Sequence, residues 1–253
     1  MAALALLPVA CGGDGGSVAA PASSSLPQGS TPVDLDPDRF TADVDSPWFP
    51  LRPGTRWTYR ELDAEGEVLD VVVIATSTTR RLANGIEARV VRDTVRQGGV
   101  ILEDTFDWYA QDDDGNVWYL GEDTAELEDG RIASREGSFE AGVDGAQPGI
   151  VMPAEPRAGQ RYRQEFLEGK AEDQGAVLGA DELVEAPAGR YDHAVLTRDT
   201  NPLEPEVSEY KLYAPDVGLV LTLDASGGSG REELLAVDRV PAGTGTGALG
   251  SPS

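Results

Sequence analysis

Three sets of residues in this chain have types and spacing that could do chemistry. In the segment QDDDGNVWY, Asp112, Asp114 and Asn116 alternate as the oxygen ligands of calcium loops do. That loop pattern also needs glycine at its sixth position and glutamate at its twelfth. Counted from Asp112, Gly115 falls at the fourth, so the pattern fails. A hairpin turn with Asp114-Gly115 at its corner is the better reading, and calcium held by Asp112, Asp114 and Asn116 is the weaker one. His193, the single histidine, sits in GRYDHAVLT on a strand that also carries Tyr191 and Val195 on the same face. A Ser–His–Asp triad would have to use it, but there is no GxSxG elbow, and Ser229 lies in a Gly-Ser stretch. His193 is therefore read as a satisfied or exposed side chain. Adjacent acids recur at Glu103-Asp104, Glu122-Asp123, Glu172-Asp173, Asp181-Glu182 and Glu232-Glu233. Two converging carboxyls could hydrolyse a glycan. With 45 acids in the chain such adjacency is expected, and most are read as solvated faces. Trp108 and Trp118 are candidates for stacking on a ligand, although core filling is the commoner fate of strand aromatics.

Composition narrows these options. The chain has 253 residues, which a norm of about 150 per domain makes one or two domains. A net charge of −25 excludes nucleic-acid partners, because binding to phosphates needs clustered cations. One cysteine excludes a disulfide framework and a cysteine-based zinc cage, and one histidine excludes multi-histidine metal sites. No phosphate-binding loop or dinucleotide fingerprint occurs, so no cofactor is expected.

The elements that must position these residues are short strands. Trp57 and Tyr59 share one strand face, Val71–Ala75 is a continuous β-branched run, and Phe106, Trp108 and Ala110 alternate with Asp107 and Tyr109. Ile86, Ala88 and Val90 alternate with Glu87 and Arg89. Asn84-Gly85, Asp114-Gly115 and Asp129-Gly130 punctuate these runs as hairpin turns, because their backbones tolerate positive φ. The expected fold is mainly β, an antiparallel meander forming a curved sheet or half-barrel. Landmarks also recur in order. GTRWTYRE at 54–61 resembles GQRYRQEF at 159–166, ARVVRDT at 88–94 resembles AVLTRDT at 194–200, and Tyr109 matches Tyr213. The recurrence predicts two duplicated units of about 100 residues sharing a core, at 46–152 and 153–240. Residues 12–45 read as a disordered tether and 241–253 as a disordered tail, both Gly-, Ser- and Pro-rich without periodicity.

The N-terminus gives an address. Met1–Ala10 is apolar and too short to span a bilayer, and Cys11 follows a small residue. This resembles the signal peptide and lipobox of bacterial lipoproteins, with Pro8 where leucine is usual. The resemblance implies a lipid anchor on Cys11, two acyl chains being enough for stable attachment. No apolar run elsewhere reaches the length of a membrane-crossing helix. WFPLRPGTRWTY, WYAQDDDGNVWYLGEDT and YAPDVGLV resemble uncharacterised extracytoplasmic bacterial proteins, many of them lipoproteins, over residues 47–223. The resemblance implies a β-rich fold like the half-barrels of lipoprotein-localisation factors and mycobacterial lipid-binding lipoproteins, which hold acyl chains behind the sheet. It transfers no site residue.

The expected protein is thus exported and lipid-anchored through Cys11, on the outer face of the cytoplasmic membrane or in the cell envelope. It is non-catalytic and binds an apolar or amphiphilic ligand, such as a lipid, or an envelope protein. Two alternatives stand beside it: a structural or calcium-stabilised surface module, and a secreted carboxylate-based hydrolase of glycans. The sequence sets no oligomeric state.

Overall fold

The computed structural model describes residues 26–63, 66–226 and 230–251; Cys11, Ser229 and residues 12–25 of the expected tether lie outside them. After β1 (Phe40–Thr41), five long strands follow one another: β2 (Thr55–Leu62), β3 (Val68–Arg81), β4 (Glu87–Gln97), β5 (Val100–Asp112) and β6 (Val117–Glu128). Short strands come next: β7 (Arg131–Ser134), β8 (Phe139–Glu140), β9 (Gln147–Met152), β10 (Arg161–Arg163) and β11 (Glu165–Phe166). A second run of five closes the chain: β12 (Gln174–Ala186), β13 (Gly189–Asn201), β14 (Glu204–Ala214), β15 (Gly218–Asp224) and β16 (Arg231–Arg239).

Each run of five is a meander of antiparallel hairpins, and the pairing of β16 with β2 joins the two into one sheet. The turns follow the residue chemistry expected of them. Between β6 and β7, Asp129 and Gly130 have φ of 50° and 70°, the two positive values that a tight hairpin matching the strand twist requires. The segment 161–166 closes the structure: β10 pairs with β12 at one end of the sheet and β11 pairs with β9 at the other. The result is a nearly closed antiparallel barrel with one seam, at Gln164. Of the recurring segments, ARVVRDT lies within β4, the third strand of the first run, and AVLTRDT within β13, the second strand of the second.

Part of the outer face of the barrel wall is covered as well as the inner one. The described part of the segment read as a tether lies against the barrel: Leu26, Val33, Leu35 and Phe40 pack on the core, and Val44 is buried. These apolar residues follow no regular period, and arginine and backbone hydrogen bonds hold the segment beside them. Arg163, fully buried, donates from Nη1 to Gly29 O (2.7 Å) and Thr31 O (2.8 Å), and from Nε and Nη2 to Pro148 O. The tail also docks as far as Ser251. Gly250 N donates to Asp104 Oδ2, and Arg92 Nη2 donates to Ser251 O. Because Arg163 ties residues 29–31 to the strand that closes the barrel, Arg163→Ala is expected to cost on the order of 2–4 kcal/mol. It should also open residues 26–36 to limited proteolysis. Unchanged urea stability together with unchanged protease resistance would refute that role.

Candidate functional site

The barrel interior contains a cavity of about 300 Å³, at the small end of ligand sites. Strand register determines what faces it. On β4 the alternation places Val91 and Asp93 on the lumen side, and on β5 it places Asp107 and Tyr109 there. Across the ladder, Val73 lies opposite Asp93, Val91 opposite Asp107, and Asp107 opposite Glu122. Tyr119 and Glu122 are three apart on β6 and would point to opposite faces of a regular strand. A register irregularity between the Glu122 and Tyr119 pairings brings both to Asp107, with Gly121 at φ 138° inside it. A Cβ at Gly121 would collide with the Phe139 carbonyl and the Trp108 ring, so only glycine allows this bulge.

One side of the cavity is aromatic. Phe49 enters from the segment before β2, its ring centroid 5.3 Å from that of Tyr109 and 6.1 Å from that of Tyr213. Tyr109 in turn stacks on Tyr119 at 5.0 Å. Trp57 and Tyr59 complete this side, donating to the carbonyls of Val217 (2.7 Å) and Leu219 (3.0 Å). The other side is acidic: Asp93, Asp107, Glu165, Asp173 and Asp199 all line the cavity, and Lys211 is the one basic residue that does.

The acids differ in how they are satisfied. Lys211 Nζ lies 3.1 Å from Asp199 Oδ2 and 3.1 Å from Glu209 Oε2. Burial alone would lower its pKa, but these two carboxylates outweigh burial and hold it well above the usual lysine value. The Tyr119 hydroxyl oxygen is 2.8 Å from Asp107 Oδ1 and 2.7 Å from Glu122 Oε2. A phenol has one proton to donate, so the second contact requires a protonated carboxyl. Burial accordingly pushes Asp107 up to about 7 and, with the Asp107 charge adding to it, Glu122 up to about 8. Burial, with the Asp173 charge adding to it, raises Glu165, and burial raises Asp173 as well. Asp93 is the exception. Its Oδ1 is buried and finds no hydrogen-bond partner among the described residues, and burial followed by the charge of Asp107 raises its pKa strongly.

Of the adjacent acids singled out from sequence, Asp173 lines the cavity and Glu122 meets Tyr119 beside it, so these two are not solvated faces; the calcium, tryptophan and histidine candidates lie elsewhere. Asp112 accepts from Asn116 N and Nδ2 through its two oxygens, and from Trp118 Nε1 (2.7 Å). Asp114 pairs with Arg39, and Asn116 Oδ1 accepts from Ala154 N. They form the turn between β5 and β6, beside a second hollow of about 290 Å³ under the N-terminal segment. Among the described residues, no group of acids, histidines or cysteines is arranged to hold a metal ion. Trp118 is buried with Phe40 edge-on to it, and Trp108 is buried with the Arg80 guanidinium 3.9 Å over its ring. Trp108 belongs to the face of β5 opposite Asp107 and Tyr109. His193 is exposed, with Nδ1 2.6 Å from Asp181 Oδ1, and does not line the cavity.

For two of the lumen acids a signal exists in the sequence. Asp93 and Asp199 hold the same place in the recurring segments ARVVRDT and AVLTRDT, Tyr109 matches Tyr213, and all four line the cavity.

Fold and site together define an antiparallel β-barrel with an acidic, aromatic-lined lumen. The chain matches no protein-family model and no curated protein. Two solved structures are loosely similar. One is from Bacteroides fragilis, described as an exported protein with a YmcC-like fold; it is 16% identical, the match covers 76% of this chain and 99% of that one, and the TM-score is 0.43. The other, from Parabacteroides distasonis, is described as a lipoprotein; it is 14% identical, with 76% and 98% covered and a TM-score of 0.40. Similarity at this level transfers no function to this chain.

Proposed function

We propose that the protein is a lipid-anchored, extracytoplasmic binding protein, non-catalytic, whose barrel lumen takes a small amphiphilic ligand of the cell envelope. The observation that carries this reading is the cavity itself: rings of Phe49, Tyr109 and Tyr213 on one side and buried carboxyls on the other. Such a site suits a ligand with an apolar body and a polar end. Its volume favours a small molecule over the long acyl chains expected from the half-barrel analogy. Asp107 and Glu122 are disfavoured as a glycan-hydrolysing pair, because the Tyr119 hydroxyl fills the gap between them where a water or sugar oxygen would act. The lipobox at Cys11 supports the anchor and the address.

Native mass spectrometry of the protein purified from its own membranes tests the lumen: a co-purifying small molecule is expected. Loss of that adduct on Tyr109→Trp, which crowds the cavity, would place it there. Mass analysis of the N-terminal peptide tests the anchor, and an unmodified Cys11 still preceded by Met1–Ala10 would defeat it.

A further inference from the structure

The β4–β5 and β13–β14 ladders carry the same local register with one reversal of charge. On β13 and β14, Thr197 lies opposite Lys211 and Asp199 opposite Glu209. On β4 and β5, Val91 lies opposite Asp107 and Asp93 opposite Thr105. Asp93 therefore occupies the register position of Asp199, and Asp107 the position of Lys211. Asp199 has its cation 3.1 Å away; the place that would supply one to Asp93 holds a second acid. The groups whose charge bears on Asp93 are Asp107 and Glu103 from β5, Glu61 from β2 and Glu232 from β16, all acidic. Its buried Oδ1 has no hydrogen-bond partner among the described residues, although the same carboxyl lines the cavity.

From this asymmetry we infer that the lumen ligand is an organic cation, and that Asp93 and Asp107 bind its ammonium group as Asp199 and Glu209 bind Lys211. The inference rests on the reading of the lumen as a ligand site and names the ligand's chemical class. Three observations point to an organic cation. The carboxyls are spread along a cavity wall and not gathered as metal ligands. The remaining volume is bounded by aromatic rings, which suit an apolar body and add cation–π attraction at a desolvated site. An anionic headgroup would meet carboxylates on the wall it must face. Entry of an ammonium group displaces the protons that keep these buried acids neutral, so binding releases protons and strengthens from pH 6 to pH 8.

Calorimetric titration of the full chain with 2-phenylethylamine, 2-phenylethanol and 3-phenylpropanoate tests the inference. The amine is expected to bind at least tenfold more tightly than the alcohol at pH 8, with proton release seen in buffers of different ionisation enthalpy. Asp93→Asn should remove at least tenfold of the amine's affinity and leave the alcohol's unchanged. Asp107→Lys places a lysine where β14 has one, and should abolish amine binding while raising the melting temperature at pH 8. Circular dichroism of both variants checks their folding, and either folded variant suffices. An alcohol or carboxylate bound as tightly as the amine would overturn the cation while leaving the lumen reading intact. Amine affinity unmoved by both variants, or no binding by any probe, would overturn the inference; the lumen reading then stands or falls on the co-purifying adduct.

Discussion

Stability is expected to fall steeply as the pH rises from 5 to 8, the reverse of the usual behaviour of an acidic protein whose carboxylates are ion-paired. Burial holds Asp107 at about 7, Glu122 at about 8 and Glu232 at about 7, above their ordinary values of 3.8, 4.5 and 4.5. The folded state therefore keeps protons that the unfolded chain has already lost, and stability falls with pH across that interval. The contribution is fully present below the unfolded values and is lost as the pH passes the folded ones. Each retained proton lowers stability by about 1.4 kcal/mol per pH unit, so one proton held to neutrality removes about 3 kcal/mol between pH 5 and pH 7. Tyr119 couples Asp107 and Glu122, and this pair is best treated as titrating together. The net charge of −25 also repels, but that repulsion is screened by salt whereas a buried cluster is not. Urea midpoints at pH 5, 6, 7 and 8, in low and in 0.5 M salt (roughly a 4 Å screening length), should show the fall at both ionic strengths. Asp107→Asn, which carries its protons at every pH, should flatten it. A stability that is level or rises over this range would show that the lumen acids are charged in the fold.

The origin of that cluster shows how far residue patterns reach. Strands and turns were legible because their determinants are local: Asp129-Gly130 needs only its own φ angles, and β-branched runs such as Val71–Ala75 fit a pleated sheet. The face of each strand was not. Period-two alternation marks Ala88 and Val90 as buried, and both are. Their opposite neighbours Val91 and Asp93 nevertheless line the cavity, because the wall is covered on both sides. The N-terminal segment and the tail provide that covering through carbonyls bound by Arg163 and Arg92, an interaction with no hydrophobic period to read. The bulge at Gly121 is similarly silent, since a glycine on a strand does not announce which flanking side chains it will align. The recurrence of Asp93 as Asp199 and Tyr109 as Tyr213 was visible, and its meaning required knowing that both pairs face one lumen.

Disruption of the Arg92–Asp104 pair should be among the most damaging single changes in the chain. Both side chains are completely buried on the outer side of the sheet, Arg92 on β4 and Asp104 on β5. Nε donates to Asp104 Oδ1 at 2.8 Å and Nη2 to Oδ2 at 2.5 Å. Thr94 Oγ1 also donates to Oδ1, and the tail adds Gly250 N on Oδ2 and Ser251 O on Nη2. A buried ion pair contributes little net stability against an apolar pair of the same shape, but removing one partner strands the other charge and costs about 3–5 kcal/mol. Asp104→Ala is therefore expected to lose about that amount and to release the tail, which Arg92 alone cannot orient. Truncation after Val240 should cost less, because water replaces the tail's exposed contacts while the pair itself survives, and roughly 1–2 kcal/mol is expected. The double change should cost no more than Asp104→Ala alone, since the tail is already free, whereas additive losses would mean that the tail docks independently of the ion pair. Urea unfolding of the four proteins at pH 6, with proteolysis of the tail as a second readout, distinguishes these outcomes. The order expected follows from geometry: the pair fixes the tail, and the tail seals the pair.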